Sequence, residues 1–216
     1  MDNLIYILFV SVFVPIMLMA CLIEKKARQP IIFVLTGIFI SVFAAEVNGL
    51  LCTLLPLSTY EITIIVTPIT EEILKALPIL VYATVLSAKK EALFTASMAV
   101  GIGFAVLENA YYLLNDASFN MLDAIIRAFG AGLMHGMCTL LVGVGISFAK
   151  KRSKIFVVGT FALMSTAITY HGIYNMLVQS EYQVAGFLLP ISTYIPFLVW
   201  RLKHKSKQEQ KMKAKK

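Results

Sequence analysis

Residues 63–86 read TIIVTPITEEILKALPILVYATVL. As a helix this stretch is long enough to cross a bilayer, whose hydrocarbon core of about 30 Å takes roughly 20 apolar residues. Yet Glu71, Glu72 and Lys75 stand in its middle. An ionisable side chain at that depth costs at least about 2.5–3.5 kcal/mol and usually marks function. The stretch therefore predicts a membrane helix built around a polar centre.

The flanking sequence carries the same pattern. Further apolar segments fall at about 3–23, 31–55, 93–114, 123–149, 155–178 and 184–200, giving an all-α bundle of about seven spans. Hydrophobic residues make up 59% of the 216 and charged residues only 14%, and the mean hydropathy is +0.81. A soluble domain has roughly 45–50% apolar and about 25% charged residues, so the excess lies in long apolar runs rather than in a rich core. The first segment begins with Asp2 in place of a basic region and has no small-residue cleavage site, so it reads as a helix and not as a signal peptide.

The net charge of +7 does not indicate nucleic acid, because of where the charge sits. Lys25, Lys26 and Arg28 precede the second segment, Lys89 and Lys90 the fourth, and Lys150, Lys151, Arg152 and Lys154 the sixth. Eight more follow from Arg201 onward. The intervening connectors hold acidic residues alone: Glu61, Asp116 and Glu181. Cytoplasmic loops collect Lys and Arg, which places the amino terminus outside and the carboxyl terminus in the cytoplasm. Residues 1–200 then form one transmembrane domain, and 201–216 form a basic, mobile cytoplasmic tail suited to anionic headgroups. Cys21, Cys52 and Cys138 are odd in number, lie in apolar runs and lack CxxC spacing, so no disulfide framework is expected.

The ionisable groups inside the segments are Glu46, Glu71, Glu72, Lys75, Glu108, Arg127, His135 and His171, joined by the amides of Asn48, Asn109 and Asn175. Paired charges that merely lock helices are the plain alternative. At about 1.5 Å per residue, Glu71, Glu108, His135 and His171 all fall roughly 9–18 Å below the outer ends of four different segments. A single polar cavity open toward the outside explains that layer. Glu71 and Glu72 share a helix face with Lys75, so the lysine can neutralise one carboxylate and leave the other available. His171 and Asn175 are four apart and can address one object, and Gly101 and Gly103 admit a neighbouring helix below Glu108. A carboxylate can activate water as a general base, and His and Asn donors can stabilise an oxyanion, which together suit peptide hydrolysis without a cofactor. The same groups could instead hold zinc, with His135, His171 and Glu71 as ligands, although no HExxH is present.

Four motifs stand in order: Glu71-Glu72-Ile-Leu-Lys75 as EExxK, Phe104 to Asn109 as FxxxEN, Arg127 eight residues before His135, and His171-Gly-Ile-Tyr-Asn175 as HxxxN. Their order and spacing resemble the PrsW family of glutamic-type intramembrane proteases, which is related to the CAAX-prenyl protease and bacteriocin-processing group. The resemblance implies an intramembrane endopeptidase that cuts a single-span, anti-sigma-factor-like membrane protein near the outer face of a bacterial plasma membrane. It also implies that Glu71 and Glu72 activate water, that His171 and Asn175 complete the site, and that Glu108 and His135 are further site residues. The CAAX group typically shows EExxxR and FxxxH, where this chain has Ala76 and Glu108. PrsW-like proteins often end the last motif in Asp; Asn175 tilts the reading toward a glutamate-activated water and away from zinc. The rival readings are a proton- or ion-coupled transporter, against which the absence of an internal repeat counts, and a non-catalytic membrane scaffold.

Overall fold

The computed structural model describes residues 4–86, 89–115, 121–148 and 153–213 and is all-helical, with no strand among them. The connector charges at Asp116 and at Lys150, Lys151 and Arg152 lie outside the described residues. The helices are α1 (Leu4–Leu22), α2 (Lys25–Leu54), short α3 (Thr59–Glu61), α4 (Thr67–Thr84), α5 (Lys90–Asn115), α6 (Met121–Ile126), α7 (Gly132–Ile146), α8 (Ser153–Val178) and α9 (Gln183–Lys213). Two π-helical turns, Ile62–Val66 and Arg127–Ala131, join α3 to α4 and α6 to α7. Helix is the expected answer to these sequences, because in hydrocarbon it alone satisfies every backbone N–H and C=O within one segment.

Among the described residues, five helices are long and apolar enough to cross a membrane: Leu4–Leu22, Ala27–Leu54, Lys90–Asn115, Met121–Ile146 and Phe156–Val178. Helix α4 carries Glu71, Glu72 and Lys75, and the apolar part of α9, Gln183–Val199, is shorter. Many large apolar side chains face outward, among them Phe39, Leu50, Val81, Val157 and Phe161. That is the inversion expected where lipid is the solvent. Helix α9 runs on to Lys213, so the basic segment beyond Arg201, expected from sequence as a mobile tail, continues as helix over most of its length.

Glycines set the distances between the central helices. A Cβ on Gly37 of α2 would sit 2.1 Å from the Val100 carbonyl oxygen of α5, and one on Gly103 of α5 would sit 2.1 Å from the Val34 carbonyl of α2. The two backbones are in reciprocal contact, as small residues permit in membrane helices. Gly101, on a different side of α5, meets the His135 carbonyl of α7 in the same way. Ile79, Val100, Phe104, Met134, Cys138, Val142 and Ala167 fill the space between α4, α5, α7 and α8. Helix α1 rests at the edge on Ile38 and Leu107 through Ile5, and the Tyr6 hydroxyl donates to Glu46.

Candidate functional site

Helix α4 lays Glu71, Glu72 and Lys75 on its inner face, three and four residues apart, and all three are buried. Lys75 Nζ pairs with Glu72 Oε1 at 2.6 Å and lies 2.8 Å from His135 Nδ1 on α7. It also sits 4.6 Å from the centre of the Phe104 ring on α5. An ammonium has only donors, so His135 Nδ1 must accept from it. The other ring nitrogen, Nε2, then carries the proton and donates to Glu108 Oε2 at 2.7 Å.

His171 on α8 is set the opposite way. Its Nδ1 lies 2.9 Å from Glu72 Oε1, and a carboxylate accepts, so Nδ1 carries the proton. Its Nε2 faces Glu71 Oε2 at 3.8 Å. Glu71 Oε2 has no hydrogen-bond partner, whereas Glu71 Oε1 is approached by Asn48 Nδ2 of α2 at 3.5 Å. The two imidazoles meet edge to face with centroids 4.8 Å apart. Glu72 Oε1 is thus held by both Lys75 and His171, its Oε2 has no hydrogen-bond partner, and Glu71 presents an equally bare Oε2 to His171 Nε2.

Of the residues expected at the site, Glu71, Glu72, Glu108, His135 and His171 stand in one connected cluster with Lys75. Asn175 stands apart from it: its Nδ2 donates to the Thr63 carbonyl at 3.0 Å, inside the first π turn. Asn109 does the same at the second, donating to the Arg127 carbonyl at 3.0 Å. Glu46 is turned away to Tyr6. A cavity of about 500 Å³ opens beside the cluster, reached through Glu108 and His135 and walled by Thr63, Arg127, Tyr174 and Asn175. Sequence reasoning passed over Tyr174 and Tyr112. Tyr174 could have been found from its place three residues after His171, on the same helix face; Tyr112, whose ring stacks 4.2 Å from the Arg127 guanidinium carbon, gave no such signal.

The fold and this centre define a class: a multi-pass membrane protein whose helices enclose a lysine, histidines and glutamates. Residues 25–201 match the family model described as PrsW family intramembrane metalloprotease. The chain belongs to that family and is an intramembrane peptidase, a hydrolase acting on protein within the bilayer. No curated protein and no solved structure matches it. The match begins at Lys25, so α1 lies outside it.

The family description brings in a metal, which the sequence reading set second to a metal-free carboxylate. The residues present fit one. Glu71, His135 and His171 each offer a ligand atom, and the three atoms lie within 4.8 Å of one another, all buried. Two histidines and a glutamate are a zinc ligand set that leaves a position open for water. Glu71 Oε2 has no partner and His171 Nε2 faces it; His135 would exchange one of its two present partners. Glu72 and Glu108 then act as the carboxylates that orient the ligating imidazoles.

Proposed function

We propose that Glu71 is the base of this peptidase and that the substrate is a single-span membrane protein of the anti-sigma-factor kind, cut near the outer face of a bacterial plasma membrane. One observation carries the reading: among the described residues neither Glu71 oxygen meets a cation, and its buried, unpartnered Oε2 lies 3.8 Å from His171 Nε2, whereas Glu72 Oε1 is already taken by both Lys75 and His171 even though Glu72 Oε2 is likewise unpartnered. In the reaction, a water gives one proton to Glu71 as its oxygen bonds to the scissile carbonyl carbon. The carbonyl π pair moves onto its oxygen, and it returns as the C–N bond breaks. The proton held by Glu71 passes to the departing nitrogen, and the products are an acid and an amine. Glu72, fixed by Lys75 and His171, holds His171 in one tautomer and so keeps its Nε2 aimed at Glu71. Glu108 holds His135 in the same manner, and Asn175, its Nδ2 given to the Thr63 carbonyl, shapes the cavity wall.

The metal reading stands second, supported by the family description and the three clustered donors. Zinc held by Glu71, His135 and His171 would supply a Lewis acid for water and carbonyl and commit Glu71 as a ligand. For topology, the alternation of basic connectors supports adding α4 and the apolar part of α9 to the five apolar helices. That makes seven spans, with the amino terminus outside, one catalytic domain over 1–200 and a basic cytoplasmic segment over 201–216.

The test is cleavage in liposomes of a library of single-span membrane proteins by wild type and Glu71→Gln. Cleavage that falls at least about 100-fold in the variant, within the range for loss of a general base, supports the reading. Equal cleavage by both removes Glu71 from its role. Ion flux without cleavage would return the transporter reading, and neither activity would return the scaffold.

A further inference from the structure

Two donors that line the cavity have no acceptor among the described residues: the Tyr174 hydroxyl and the Arg127 Nε–H. Buried polar groups are nearly always paired, so an unpaired one in a cavity wall calls for a reason. Tyr174 is only 3% exposed and stands three residues beyond His171 on α8. Its hydroxyl reaches across to the second π turn, where a Cβ on Gly130 would lie 2.9 Å from it. The Arg127 guanidinium carbon lies over the Tyr112 ring, 4.2 Å from its centre. Glu108 and His135 line the same cavity, which joins these donors to the charged cluster. Asn175, the donor suggested by sequence, already gives its Nδ2 to Thr63.

We propose that the Tyr174 hydroxyl is a catalytic donor that binds the carbonyl oxygen of the scissile peptide bond in this cavity, with Arg127 Nε, from the wall of the same cavity, as a second donor. The assignment rests on the proposed active site at Glu71. As water adds to the carbonyl carbon, the π pair moves onto this oxygen, and its growing charge strengthens the bond from the phenol. Tyr174 keeps its proton throughout, so the proton balance through Glu71 is unchanged. A donor fixed in a water-poor site before the reaction needs no reorganisation during it, which is how oxyanion sites act.

Tyr174→Phe tests this cleanly, because the ring that fills the space remains and the hydroxyl it removes has no partner in the resting protein. The probe is whichever single-span membrane protein of the library wild type cleaves in liposomes. We expect kcat to fall about 10²–10³-fold, the cost of losing one oxyanion donor. KM should stay within about twofold, and the thermal midpoint should be unchanged or raised, since only a transition-state contact is lost. A kcat within about threefold of wild type overturns the proposal, as does a rise in KM at unchanged kcat. Should Tyr174→Phe fail to fold, Gly130→Ala, whose methyl displaces the hydroxyl, must lower kcat; full activity there overturns the proposal. Glu71→Gln, run in parallel, separates the two readings. If it is inactive while Tyr174→Phe is not, the donor alone is wrong; if both are active, or wild type cleaves nothing, both fall.

Discussion

Asn175 on α8 donates its Nδ2 to the carbonyl oxygen of Thr63 at 3.0 Å, and Pro68 is the reason that the carbonyl is available. In the π turn, backbone N–H groups bond five residues back, as Thr67 does to Ile62. The partner of Thr63 would be residue 68, a proline without an N–H. The carbonyl of Ile64 faces Gly172 of α8, where a Cβ would stand 2.7 Å away. The second π turn repeats the device: Gly132 donates to Phe129, and Asn109 supplies Arg127 instead. Single π turns of this kind favour functional sites, and here both border the cavity.

Asn175→Ala should therefore cost about 1–3 kcal/mol, the range for a buried carbonyl left unmet. Pro68→Ala restores an N–H to the ladder, so the same Asn175→Ala change made on that background should cost clearly less. A double-mutant cycle on unfolding in detergent reads the coupling; additive costs would separate Asn175 from Pro68.

Lys75→Met should be among the most damaging single changes. It leaves Glu72 buried beside His171 with no ammonium, and breaking a buried pair costs about 3–5 kcal/mol. Lys75→Met combined with Glu72→Gln should recover folded yield, measured by size-exclusion chromatography. Activity should stay low in the double variant, because the group that fixes His171 is weakened.

Glycine substitutions should divide by what surrounds them. Gly103→Ala drives a methyl into the Val34 carbonyl, a backbone atom that cannot turn aside, and should cost about 1–3 kcal/mol as overpacking does. Gly159 of α8 has nothing within 4 Å of its Cβ position. Gly159→Ala should leave stability unchanged or raise it by up to about 1 kcal/mol through helix propensity. Thermal unfolding of the two variants side by side checks the contrast.

Metal content gives an assay that does not need the substrate. If Glu71, His135 and His171 hold zinc, protein purified without chelator should carry about one zinc per chain by elemental analysis. His171→Ala should lose it, as should treatment with 1,10-phenanthroline, and the thermal midpoint should fall as the bound-state stabilisation disappears. Wild type free of metal and fully active would leave the carboxylate alone as the activating group.

The helical membrane class was legible from the sequence, and so was the burial of Glu71, Glu72, Lys75, His135 and His171, whereas Glu46, Glu108 and Arg127 are only half-buried. Length and apolarity decide whether a segment suits a bilayer, and both are local properties. Each apolar segment read from sequence has its helix, most with ends shifted by a few residues; α2 starts earlier, at Lys25, and carries Pro30 inside it. The family was legible because its motifs are short and sit within single helices. The two π turns were not, since they depend on amides that arrive from α5 and α8, some 18 and 112 residues away. Tyr174 escaped notice because an unpaired hydroxyl is a property of its surroundings, not of its residue type.

By itself, then, the sequence determined that this chain is a bundle of membrane helices, and its spacing led us to expect Glu71, Glu108, His135 and His171 in one layer. It also determined that Lys75 would pair with one of two adjacent glutamates. Only the tertiary structure decided which. Both carboxylates are within reach of Lys75 along α4, and the choice falls to Glu72 because α7 and α8 bring His135 and His171 to that side. Those helices stand where they do because Gly101 lets α7 close onto α5 and Gly172 lets α8 close onto the turn before α4. A charge pairs with whatever the packing delivers to it, and packing between distant segments is not written in the spacing of any one of them.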